Sequence, residues 1–191
     1  YQAFGDWNDV MDITEELITT AAQDALGTTV VEVRGEQIDL ADAWPRKRMI
    51  DYASEGTGVE LHPSMPISDV RKVAANHDVF VEDRWGPGKI IEELFEKTAE
   101  SSIIRPTFVT GHPVEISPLA RVDRNDPFLT ERFELFVDGR ELANGYSELN
   151  DPVEQRARFE DEQAAKAAGD DEAGSLDEDY IRALEYGMPP T

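Results

Sequence analysis

Asn144, Tyr146 and Glu148 alternate along a stretch that reads as a β-strand, and alternation puts the three side chains on one face. An amide, an aromatic ring and a carboxylate in one row suit a cationic ligand with an apolar stem. The carboxylate pairs with an ammonium group while the ring covers methylenes or meets the charge through its face. Ser147, between them, is expected to face away. Glu134 and Glu141 lie on the two arms of a hairpin closed at Asp138-Gly139, a dipeptide that supplies the positive φ angles of a tight turn. A two-residue turn there places 134, 136, 141 and 143 on one face. Close carboxylates hold divalent cations, commonly Mg²⁺ bridging to nucleotide phosphates. Both sets also have a plain structural reading: Glu148 bonded to a neighbouring Arg, and Glu134 and Glu141 answered by Arg132 and Arg140.

The strands around these residues carry Leu135, Val137 and Leu142, so the sheet is expected to be packed on at least one side. Burying carboxylates costs several kcal/mol unless they are paired, hydrogen-bonded or bound to metal, which favours a site over a plain wall. A parity problem remains, because 141 and 144 fall on opposite faces of a regular strand. If both sets line one pocket the strand must bulge, and Ala143–Gly145 is the expected place because Gly relieves the backbone. His112 and Glu115, three apart beyond a Gly, form a weaker candidate acid-base pair, against the simpler expectation of a solvated loop histidine. Trp85 before Gly-Pro-Gly reads as a packing anchor.

The elements that must position these residues follow from periodicity. From Val10 to Leu26 apolar residues recur at helical spacing, with Asp6 or Asn8 as cap and Gly27 as the stop. Thr28–Arg34 and Gln37–Leu40 predict a small hairpin through Gly35. Between about 40 and 100 the pattern is mostly helical: Met49–Ala53, a helix capped by Ser68 and running to about His77, and one opened by Pro87-Gly88. Val79–Val81 is a candidate short strand. Strand character resumes at Ile103–Thr110 and Val114–Leu119. Asp151-Pro152 opens a charged helix to about Ala168, Gly169–Gly174 is an acidic loop, and Asp177–Tyr186 is a last helix.

Composition bounds the function. A chain of 191 residues with 40% hydrophobic content is consistent with one globular domain. Its 18 basic and 41 acidic residues leave a net charge of −23, and only five of the basic residues are Lys. Such a surface repels nucleic acid phosphates, so no basic docking face for RNA or DNA can be claimed from this segment alone. It fits a salt-adapted source, in which acidic residues keep the protein hydrated and screening removes their repulsion, and it also fits an ordinary acidic cytosolic protein. The absence of Cys excludes disulfides, thiolate metal sites and cysteine nucleophiles. No apolar run approaches the roughly 20 residues of a membrane span, and no secretory signal opens the chain, so a soluble, cytoplasmic protein is expected. No phosphate loop, Rossmann fingerprint, zinc helix or nucleophile elbow is present. The opening Tyr-Gln-Ala-Phe-Gly-Asp-Trp, without an initiator Met, reads as the start of a fragment.

Pro-Thr-Phe-Val-Thr at 106–110, Pro-Val-Glu-Ile-Ser-Pro-Leu-Ala at 113–120, the string from Thr130 through Asn-Gly-Tyr-Ser-Glu-Leu-Asn-Asp-Pro152, and Ala-Leu-Glu-Tyr-Gly-Met-Pro-Pro-Thr at 183–191 closely resemble the catalytic domain of class II lysyl-tRNA synthetases. The resemblance runs through the whole chain. It implies an α+β fold, an antiparallel β-sheet flanked by helices, with 1–40 and 101–191 as core and about 41–100 as an inserted helical subdomain. It implies lysine, ATP and tRNA-Lys as substrates, Mg²⁺ as cofactor and a homodimeric parent. Tyr1, Asn144, Tyr146 and Glu148 match lysine-pocket positions, and Glu134 and Glu141 match positions contacting Mg²⁺ and ATP. It further implies that the anticodon-binding domain, the first motif and the two signature arginines of the second and third motifs lie outside this segment, so the chain alone is not expected to activate lysine. A truncated paralogue that keeps the pocket as a non-catalytic lysine-binding module is the other reading.

The thermal unfolding midpoint, followed by calorimetry, is expected to rise by about 5 °C or more between about 0.1 M and about 2 M KCl. A flat or falling midpoint would argue for an ordinary acidic protein.

Overall fold

Asp6 starts the first helix. Its carboxylate accepts hydrogen bonds from the Asn8 and Asp9 amides, while the Asp9 carboxylate accepts one from the Asp6 amide, so two orphan donors are satisfied reciprocally. Helix α1 runs over Trp7–Leu26 and stops at Gly27, whose φ of 72° is the left-handed geometry of a helix end. The computed structural model describes residues 1–167, 174 and 176–190. After α1 come β1 (Val30–Val33), β2 (Glu36–Asp39), β3 (Arg46–Arg48), α2 (Met49–Thr57), α3 (Ile67–Asn76), α4 (Pro87–Thr98), β4 (Thr107–Thr110), β5 (Arg132–Val137), β6 (Arg140–Tyr146), α5 (Pro152–Ala167) and α6 (Glu178–Glu185).

β1 and β2 form a separate antiparallel hairpin, and the main sheet has the order β3-β4-β5-β6. β4, β5 and β6 are antiparallel, but β3 joins β4 in parallel, so the sheet is mixed at one edge. The expected helical block at about 41–100 thus also supplies an edge strand. Its helices α2, α3 and α4 share an apolar cluster with the sheet residues Val109 and Phe136, where Phe95 of α4 meets Phe136 with ring centroids 5.7 Å apart. The other sheet face carries Phe108, Phe133 and Leu135, which pack with Met11 of α1, and with Ile38 and Trp44. Two cores therefore sandwich one sheet, and the central strands β4 and β5 contribute alternate residues to each.

Several local expectations change. Pro66, not Ser68, stands at the start of α3, without a side-chain cap. Val79–Val81 forms no strand, because the Val79 amide is spent on the Ala74 carbonyl at the end of α3. The predicted strand at Val114–Leu119 is instead a 3-10 turn over Val114–Ile116. At Ile103–Thr110 only Thr107–Thr110 is strand; Ile103 and Ile104 use their carbonyls to hold the amides of Gly139 and Asp138. The acidic stretch 169–173 lies outside the described residues. Among the described residues no helix is long and apolar enough to cross a membrane.

Gly145 has a packing role. A Cβ there would lie 2.7 Å from the ring of Phe133 on the neighbouring strand, and that ring is locked edge-on against Phe108 at 5.2 Å. Gly145→Ala is therefore expected to lower stability by about 1–3 kcal/mol, read as a lower urea midpoint at unchanged slope.

Candidate functional site

The geometry of the site begins at the turn. Asp138 and Gly139 have φ of 58° and 67°, the two positive values of a tight hairpin turn. From there Val137 pairs with Arg140 and Phe136 with Glu141, but Leu135 pairs with Ala143. Leu142 is the extra residue, a bulge one position before the expected range, and its side chain is 60% exposed. The bulge resolves the parity problem. Beyond it Asn144 stands opposite Glu134 and Tyr146 opposite Arg132, so Arg132, Glu134, Phe136, Glu141, Asn144 and Tyr146 share the face toward α4. Ala143, expected beside Glu134, turns instead to the α1 side with Phe133 and Leu135.

Arg132 ties this face together. Its guanidinium donates to Glu134 Oε1 at 2.6 Å, Asn144 Oδ1 at 3.2 Å, the Ile116 carbonyl at 2.7 Å and Ser117 Oγ at 3.0 Å. Glu134 is nevertheless only 12% exposed. Burial pushes its carboxyl up to about 7; Arg132 pulls it down, and Glu141, Glu92 and Glu100 push further up. His112, expected in solvent, is fully buried, and it is not paired with Glu115. Its Nε2–H donates to the Val109 carbonyl at 3.2 Å, leaving Nδ1 as a lone pair 4.0 Å from Glu134 Oε1. Burial, with Arg132 nearby, lowers its pKa to about 3, so the ring is neutral.

Beside Glu134 lies a cavity of about 200 Å³ lined by Met49, Phe95, Phe136 and five carboxylates, Glu92, Glu96, Glu100, Glu134 and Glu141. Burial raises the pKa of Glu96, with Glu93 and Glu92 adding to it, and burial followed by Glu141 raises that of Glu100. Carboxylates gathered this way repel one another, and a cation relieves them. Among the described residues no group of three or more metal-ligating side chains is arranged to chelate an ion. A larger open hollow of about 710 Å³ beside α2 contains none of the hairpin residues.

At the other end of the face, Ser147 turns away as expected, its Oγ accepting from the Trp7 amide at 3.1 Å. Glu148 accepts a hydrogen bond of 2.6 Å from the Tyr180 hydroxyl of α6, and Tyr180 packs on Phe159 of α5. The Tyr180 pKa is raised by burial and by this bond. Tyr146 is raised by burial, then by Glu148 and Tyr1. Tyr1 itself is fully exposed. The arrangement offers an anion, an aromatic wall and an amide in one row, next to a separate acidic cavity.

The family model described as tRNA synthetases class II (D, K and N) matches residues 1–191. The chain belongs to this family. Three similar curated relatives are named lysine–tRNA ligase: one from Bacillus subtilis (strain 168) at 49% identity, and those from Staphylococcus aureus strains MRSA252 and Mu3 at 47%. Each match covers all 191 residues here but only 38% or 39% of the relative. The family's mixed α+β architecture is the one described above.

Sequence reasoning missed Arg132 as a hub, giving it only a surface pairing role, and missed Tyr180 and the α4 glutamates altogether. Arg132 was legible in part, since it alternates with Glu134 on one strand. Tyr180 and Glu148 are 32 residues apart, and no local pattern links them.

The raised Glu134 pKa makes the stability of the fold depend on pH. Between the ordinary carboxyl value of 4.5 and about 7 the folded state holds a proton that the unfolded state has lost, so stability falls as pH rises through that window. Glu134→Gln, which keeps an acceptor for Arg132, is expected to be near neutral at about pH 4.5 and stabilising by up to about 3 kcal/mol at about pH 8. Urea titrations at the two pH values check this, and an equal effect at both would contradict it.

Proposed function

We propose that this chain is part of the catalytic domain of an ATP-dependent lysine–tRNA ligase, which activates lysine as lysyl-adenylate and transfers it to tRNA-Lys. The observation that carries the reading is the single face on which the Leu142 bulge aligns Glu134 and Glu141 with Asn144 and Tyr146, continued by Glu148. The names of the lysine–tRNA ligase relatives support it.

In this reading the lysine side-chain ammonium pairs with Glu148, which Tyr180 holds from behind. The Tyr146 ring covers the methylenes, and Tyr1 closes the exposed side. Asn144, with Oδ1 taken by Arg132, turns its Nδ2 donors to the ligand. A carboxylate oxygen of lysine attacks the α-phosphorus of ATP, the bond to the bridging oxygen of the β-phosphate breaks, and pyrophosphate leaves. Glu134 and Glu141 would hold Mg²⁺, which neutralises the charge of the polyphosphate when bound. A hard ion that keeps waters and takes phosphate oxygens needs only one or two carboxylates, which fits a cavity without a three-ligand cluster. We extend the proposal to a cytoplasmic, homodimeric, salt-adapted parent.

Lysine-dependent ATP–pyrophosphate exchange tests the reading. The full-length protein containing this chain is expected to be active, and Glu148→Gln to lower kcat/KM for lysine roughly a hundredfold. The 191-residue chain alone is expected to be inactive, and clear exchange from it would contradict that part. Calorimetric binding of lysine without any exchange by the full-length protein would favour the non-catalytic module.

A further inference from the structure

Helix α4 carries Glu92 and Glu96 into the acidic cavity and leads through the 3-10 turn Glu100–Ser102 to Glu100. Its placement against the sheet therefore sets the spacing of the cavity's carboxylates. Yet α4 has no cap of its own, since Gly86 stands at its N-terminus. The cap comes from another segment. Glu115, in the 3-10 turn Val114–Ile116, reaches across, and its Oε2 accepts from the Gly88 and Lys89 amides at 3.1 and 3.3 Å. The Gly86-Pro87-Gly88 sequence is shaped around this contact. A Cβ on Gly86 would lie 2.5 Å from Glu115 Oε2, and one on Gly88 would lie 2.7 Å from Pro113 Cβ. A carboxylate accepting amide bonds at a helix N-terminus is favoured by both the hydrogen bonds and the helix dipole.

The same turn holds the opposite wall. The Ile116 carbonyl and Ser117 Oγ accept from Arg132, which in turn holds Glu134 and Asn144. Residues 115–117 thus clamp α4 on one side and the β5–β6 site face on the other. α5 fixes the clamp from outside, with Arg158 donating to the Ser117 and Ala120 carbonyls at 2.9 and 2.7 Å and Gln155 to that of Pro118 at 3.1 Å.

We propose that Glu115 is a positioning residue for the site: its cap on α4 sets the height of that helix over the sheet, and so the separation of Glu92, Glu96 and Glu100 from Glu134 and Glu141. The inference rests on the reading that this cavity takes a divalent cation with its nucleotide.

The test uses the 191-residue chain with Mn²⁺ alone as probe, and compares Glu115→Ala with Glu115→Gln, whose side-chain carbonyl still accepts from amides. Glu115→Ala is expected to lower hydrogen-exchange protection of the Gly88 and Lys89 amides by roughly tenfold or more, to weaken the ring-to-ring NOE between Phe95 and Phe136, and to weaken Mn²⁺ binding in an electron paramagnetic resonance titration several-fold. Glu115→Gln is expected to restore most of all three. Unchanged amide protection and NOE in Glu115→Ala would overturn the cap. Loss of protection with wild-type Mn²⁺ affinity would overturn the positioning role. Glu134→Gln and Glu141→Gln separate the underlying reading: if neither moves Mn²⁺ binding, or the wild-type chain binds none, the cation reading fails and the positioning role with it, while the exchange and NOE results still decide whether Glu115 sets α4.

Discussion

Arg132 is the cation on which the arrangement of the site face depends. It is largely buried, and its planar fork reaches two strands and one turn at once: Glu134 on its own strand, Asn144 on the next, and Ile116 and Ser117 beyond. A buried ion pair of this kind is weak evidence for stability, because desolvating both partners offsets their attraction. What it contributes is geometry. Lys has a single ammonium and could not span the same four acceptors in a plane.

That cation works against an unfavourable background. Glu134 borders four other glutamates at one cavity, in a chain of net charge −23, and the raised pKa values of Glu134, Glu96 and Glu100 register the strain. A surface optimised for stability would not gather these groups. Their concentration beside a buried arginine and a neutral histidine is the kind of local conflict that marks a functional site. The cost is carried by the two apolar cores on either side of the sheet.

Backbone detail decides which carboxylates meet. The Asp138-Gly139 turn is pinned three ways: its amides to Ile104 and Ile103, the Asp138 carbonyl to Arg34, and Gly139 against Ser101, where a Cβ would approach within 3.1 Å of backbone. With the turn held, one extra residue in β6 shifts everything after it to the other face. Leu142 is the residue displaced, and its exposed side chain costs little. Gly145, the position expected to relieve the bulge, serves instead to admit the Phe133 ring.

Local chemistry was legible from the sequence alone. Asp6, Gly27, Asp151 and the Asp138-Gly139 turn act through neighbours within a few residues, so their types predicted α1, α5 and the hairpin correctly. The shared face of Asn144 and Tyr146 was legible from strand alternation too, and the parity of 141 against 144 demanded a bulge. What only the tertiary structure decided are the relations between distant segments: Tyr180 on Glu148, Glu115 on the end of α4, Arg132 across two strands, and His112 buried rather than solvated. Val114–Leu119 shows why. Its alternation was real, but its backbone donors and acceptors serve Phe128, Pro113, Arg132 and α5 instead of a neighbouring strand, and which partner a backbone group finds is fixed by the packing of the whole chain.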